Sequence, residues 1–94
     1  MDKIKKIIDA QNDIEEIKNA INDINYFHSK SDEIYDKINN NKDYTIYIQI
    51  MKNKFNMNGN NHFKVLSYRF KREIFKMFIA SIKLYIVKEI NDIK

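Results

Sequence analysis

Apolar residues recur on a heptad from the start of the chain. Ile7, Ala10, Ile14, Ile17, Ile21 and Ile24 fill successive a and d positions. The register passes through His28 and Ser31 and resumes at Tyr35 and Ile38, with no Gly or Pro to interrupt it. This pattern predicts a coiled-coil-like helix over about residues 3–38, roughly 50 Å long if continuous. Ser29 and Ser31 are available as N-caps, so a break near 29–31 is allowed. A rod of that length outreaches a globule of this size, whose radius of gyration is ~13 Å. The seam residues Ile7, Ile14, Ile17, Ile21 and Ile24 therefore require a partner: the C-terminal helix, another subunit, or both. Ile at both a and d favours assemblies above the dimer, and a homo-oligomer is expected on that ground.

The period then changes. Residues 39–43, Asn-Asn-Asn-Lys-Asp, form a turn cluster. Over 44–51, Ile46, Ile48 and Ile50 alternate with Thr45, Tyr47 and Gln49, which predicts a strand. Asn58-Gly59 is a strong hairpin-turn dipeptide, and 62–66 is the candidate returning strand. From Ser67, a candidate N-cap, a helical period runs to about residue 93. Phe70, Ile74, Met77, Phe78, Ile82, Leu84, Tyr85 and Ile86 spread over more than half of its circumference, so it is expected to be largely buried. The expected architecture is α+β in a single domain, residues 1–94: a long N-terminal helix, a short β-hairpin and a long C-terminal helix.

Charge divides the chain along the same lines. Residues 1–40 carry nine acids against six Lys, whereas 41–94 carry eleven Lys or Arg against four acids. Most of the excess lies between Lys52 and Lys76, where Lys52, Lys54, Lys64, Arg69, Lys71, Arg72 and Lys76 face only Glu73. Such a patch calls for an anionic partner: an acidic protein surface, a nucleotide or a nucleic acid. The opposite charges of the two ends equally favour an antiparallel helix pair within one chain. With no Cys and two separated His, disulfides and thiolate metal sites are excluded and a structural zinc site is disfavoured. No cofactor is expected. The start of the chain is charged, without the apolar run of a signal peptide. The most apolar stretch, 74–87, is too short for a bilayer and is broken by Lys76 and Lys83. A cytoplasmic chain with no membrane partner is expected.

The candidate site lies at the start of the last helix. Arg69 and Arg72 are i, i+3 neighbours, Lys76 continues their face, and Lys71 lies between them. A helix N-terminus adds backbone N–H groups and a positive dipole end, and two guanidinium forks suit bidentate anion binding. Lys52, Lys54 and Lys64 widen the patch, and Tyr68 and Tyr47 are the aromatics placed for exposed contact. Phe70, Phe75 and Phe78 are expected in the core. The competing reading is a solvated basic stripe neutralised by the acids of the first helix. No catalytic signature appears, so no enzymatic activity is expected.

Two resemblances follow from this order of elements. Helix, hairpin, helix resembles prefoldin-type chaperone subunits, from which the apolar circumference of the final helix departs. The Ile/Lys/Glu-rich first helix, the short strand at 44–51 and the long helix at 67–93 resemble small phage accessory proteins of low-GC hosts. The second resemblance implies a non-enzymatic counter-defence inhibitor that binds a host effector or sequesters a nucleotide signal, working in the host cytoplasm. A small nucleic-acid-binding regulator and a chaperone-like or structural coiled-coil module are the alternatives.

Overall fold

A computed structural model describes residues 2–57 and 61–94, and every regular element among them is helical. Helix α1 (Asp2–Asn22) and helix α2 (Ile24–Asn39) replace the single rod expected over 3–38. A 3-10 turn (Lys42–Tyr44) leads into α3 (Thr45–Lys54). One short turn, α4 (Asn61–Lys64), precedes the long α5 (Tyr68–Ile93). The α+β expectation is corrected to an all-α fold. No strand occurs among the described residues. Residues 44–51 are helical, and 62–66 cover most of α4 and its exit. The Asn58-Gly59 turn lies outside the described residues.

The rod breaks at Asp23, not at 29–31. Asp23 adopts an extended backbone, φ −135° and ψ 107°, and its carboxylate accepts from the backbone N–H groups of Asn25 and Tyr26 at 3.0 and 3.2 Å. A short acidic side chain satisfies the orphan donors of a helix start, so it stabilises a new helix instead of continuing the old one. Ser31, one of the expected breaks, is instead buried inside α2. α2 folds back along α1, and Lys37 reaches Asp13 at 3.5 Å and also pairs with Glu16. The molecule is therefore only 41 Å along its longest axis.

The heptad seam is used within the chain. α1 runs against α5, with Lys3 bonded to Glu89 at 3.3 Å and close to Asp92 at 3.6 Å. Ala10, Ile14, Ile17 and Ala20 are buried in the shared core, Ile7 and Ile21 are half-buried against it, and Ile24 is exposed. The seam expected to bind a second subunit is thus largely covered by the last helix.

α3 takes the segment read as a strand. Tyr44, Tyr47, Ile48 and Met51 recur at helical spacing and face the core, while Ile46 and Ile50 point to solvent. Asn41 caps the preceding 3-10 turn by accepting from Asp43 N–H at 2.8 Å. The C-terminus closes in a Schellman motif. Asn56 is left-handed (φ 55°), Met57 N–H donates to Lys52 C=O at 2.8 Å, and Asn56 N–H donates to Asn53 C=O at 3.4 Å. Met57 then tucks into the core.

A ladder of rings joins α2, α4 and α5. Tyr35 stacks on Phe63 at 4.0 Å and on Phe78 at 5.5 Å, and Phe63 stacks on Phe75 at 5.6 Å. Phe27 closes the end against Phe75 and Tyr68 at 5.1 and 5.0 Å.

The capping role of Asp23 is directly measurable. Asp23→Ala should lower unfolding free energy by about 1 kcal/mol. Ser29→Ala, on the exposed face of α2, should change it by less than ~0.5 kcal/mol. Chemical denaturation of both variants checks this, and equal losses would remove Asp23 as the cap.

Candidate functional site

Ser67 sets the orientation of the α5 side chains. Its hydroxyl accepts from Phe70 N–H at 3.4 Å and its carbonyl accepts from Lys71 N–H at 3.0 Å. At 100° per residue, Arg69, Arg72, Lys76 and Lys83 then fall within about 60° of one another on the outer side of the helix. Phe70, Met77 and Leu84 form a second stripe about 100° further round.

The structure divides the predicted cations into two groups. Three are neutralised by acids of the chain itself. Lys71 bonds Asp32 at 3.0 Å and lies over the Phe63 ring at 5.2 Å, with its side chain only 15% exposed. Lys64 pairs with Asp36 at 3.1 Å and Lys76 with Glu73 at 3.3 Å. The first two tie α5 and α4 to α2, and exposed pairs of this kind contribute about 0–1 kcal/mol each. Arg69, Arg72 and Lys54 have no carboxylate partner among the described residues, and neither has Lys83. Arg72 is half-buried, with its guanidinium 5.6 Å from the Tyr68 ring and its Nε without a hydrogen-bond partner. Tyr68 is half-buried in turn, and the exposed His28 ring sits 5.3 Å from it.

Lys52 belongs to neither group. Its side chain is buried, and its ammonium lies 5.9 Å from the centre of the Tyr35 ring. Burial pushes its pKa below the ordinary 10.5. It packs as a structural residue and does not reach the surface that carries Arg69.

The other perturbed groups hold the core together. The Tyr44 hydroxyl donates to Asp13 Oδ2 at 2.6 Å, and burial, then that bond, raise its pKa. The Tyr85 hydroxyl, buried and facing Asp43 and Glu89, is pushed up to about 12. Burial, then Asp36, raise Tyr35. Among the described residues no group of three His, Asp or Glu is placed to hold a metal ion. No described helix is long and apolar enough to cross a membrane.

Beside the basic stripe lies a groove that composition did not point to. Phe55, Met57, His62, Leu66, Phe70, Glu73, Ile74 and Met77 enclose about 580 Å³ between the end of α3 and the start of α5. Of its lining, Met57 and Ile74 are buried, while Phe55 and Phe70 are 52% and 63% exposed. Phe70, expected in the core, therefore stands at the surface. The signal was available in the sequence: Phe70, Met77 and Leu84 are spaced seven apart on a side of α5 opposite to Phe75 and Ile82.

No protein-family model matches this chain, and no curated protein or solved structure matches it.

A buried lysine with no carboxylate costs stability, so Lys52→Met should raise it by about 1 kcal/mol near neutral pH. The sign with pH follows from the lowered folded pKa. Below it the folded state carries the full penalty; as pH rises toward 10.5 the unfolded chain also loses its proton and the penalty fades. Denaturation of wild type and Lys52→Met from pH 7 to 10.5 should show the gain shrinking, and a constant gain would contradict it.

Proposed function

We propose that this chain is a non-enzymatic binding protein that captures an acidic protein surface on the outer side of α5. One observation carries the reading. The fold neutralises Lys64, Lys71 and Lys76 with its own acids, yet leaves Arg69 and Arg72 one turn apart without carboxylate partners. Like charges at i, i+3 near a positive helix end repel, so an unneutralised pair there costs stability that an acidic ligand offsets. Arg72 is also held in place by Tyr68, and an ordered guanidinium loses less entropy on binding than a free one. Lys54 and Lys83 extend the same sign of potential and speed encounter with an acidic partner.

Of the features that resemble small phage accessory proteins of the counter-defence type, the Ile/Lys/Glu-rich start and the long last helix remain while the strand at 44–51 does not; on those two the reading is an inhibitor acting on a host protein in the host cytoplasm. A nucleic-acid partner would use the same cations, and salt dependence separates the two.

A fluorescent peptide rich in Glu and Asp serves as probe, with single-stranded and duplex DNA beside it. The peptide should bind at low salt. Arg69→Ala with Arg72→Ala should weaken it at least roughly tenfold while circular dichroism stays unchanged, because neither residue is fully buried. Arg→Lys at either position should weaken it less. Unchanged binding by the double variant would move the site elsewhere. Tighter binding of DNA, with a log–log salt slope near −0.9 per duplex phosphate contacted, would replace the acidic protein by a nucleic acid.

A further inference from the structure

We infer that the groove between α3 and α5 receives the apolar side chains of an acidic amphipathic helix, the form in which the partner presents itself. The inference rests on the reading above and adds the shape and the second chemistry of the partner.

The groove has the dimensions of such a contact. Phe70 and Met77 lie seven residues apart along one wall, about 10 Å, which matches two turns of a helix laid beside α5. Phe55, Met57 and Leu66 form the facing wall, and the buried Ile74 also lines the groove. Amphipathic helices dock in grooves of this kind through apolar residues at i, i+3, i+4 and i+7. The polar lining consists of His62 and Glu73, both exposed, so no buried polar group waits to orient a small ligand.

Charge decides between a foreign helix and a second copy. Arg69, without a carboxylate partner, lies on the α5 face that borders Phe70 and Met77, and Lys54, likewise without one, precedes Phe55. In a two-fold contact the same patch meets itself. Cations of both copies would then crowd one interface, with Glu73, already held by Lys76, the acid among the groove residues. A helix with apolar residues on one side and carboxylates along its edge meets both stripes of α5 at once.

The test uses the full chain and three labelled helical peptides of about 16 residues, long enough to span the groove twice over. The first has Leu at i, i+3, i+4 and i+7 with flanking Glu; the second replaces Leu by Ser; the third replaces Glu by Lys. The first should bind. Phe70→Ser should weaken it roughly tenfold, as should the loss of its Leu residues. Phe70 is 63% exposed, so the fold should survive, and Met77→Gln gives a second variant at the same wall. Arg69→Ala with Arg72→Ala should reduce the salt dependence while leaving the difference between the Leu and Ser peptides intact. Equal binding of the Leu and Ser peptides overturns the groove but not the basic surface. Equal binding of the Glu and Lys peptides overturns the acidic partner. Failure of the first peptide to bind overturns the inference, as does a dimer in sedimentation that Phe70→Ser dissociates, because the occupant is then a second copy.

Discussion

Burial of Phe63 between Tyr35 and Phe75 is the contact on which the candidate surface depends. α4 is one turn long and has too few hydrogen bonds to persist alone. It is held because Phe63 is fully buried and stacked on both sides, at 4.0 and 5.6 Å. Ring pairs of this kind add about 0.5–1.5 kcal/mol each beyond the area they bury. Lys64, next in sequence, adds its bond to Asp36, and Lys71 covers the Phe63 ring from α5. His62 and Leu66 line the groove because Phe63 fixes the turn between them. The far wall is fixed separately, by the left-handed Asn56 that turns Met57 inward at the end of α3.

Electrostatics has a selective role in this architecture. The acidic first half and basic second half do not simply attract as blocks. Asp32 and Asp36 of α2 remove Lys71 and Lys64 from the surface supply of charge, and Glu89 and Asp92 of α5 anchor Lys3 of α1. Of the basic region, what is left is a short positive stripe on one side of α5, Arg69, Arg72 and Lys83, with Lys54 at the end of α3. The competing expectation, that acids of the 3–38 segment neutralise the basic stripe, holds for Lys71 and Lys64, paired with Asp32 and Asp36, and does not extend to Arg69 and Arg72, which have no carboxylate partner among the described residues. α1 packs on the inner side of α5, and its acids Asp13 and Glu16 are taken by Lys37 of α2.

The sequence was legible where one period dominated for several turns. The heptad through Ile14 and Ile17 and the long apolar helix after Ser67 both correspond to elements of the fold. It was illegible where two periods overlapped. Ile46, Ile48 and Ile50 alternate as in a strand, yet Tyr44, Ile48 and Met51 are spaced as in a helix, and the second set is the one that contacts Tyr85 and the core. Local alternation lost to tertiary packing, as β-propensity commonly does. The break at Asp23 was hidden because Ser29 and Ser31 carry the same capping chemistry; only Asp23 falls where α2 can return along α1. In the candidate site, Arg69 and Arg72 were visible from charge and spacing. That Lys71 and Lys52 would turn inward was not, since their places depend on Asp32 and Tyr35, which belong to a different helix of the fold.

The excess of apolar residues on α5 explains why a surface remains to be used. Ile74, Phe75, Phe78, Ile82, Tyr85 and Ile86 are enough to meet α1, α2 and α3. Phe70, Leu84 and Val87 lie beyond that sector, and more than half of each is exposed. None of the described helices covers them, and small domains bury a smaller share of their surface than large ones. A folding requirement alone would favour polar residues there, as at Lys83 and Lys88 on the same helix. Large apolar groups kept in water beside unpaired arginines offer no gain to the isolated fold, and it is on this ground that we propose a partner to cover them.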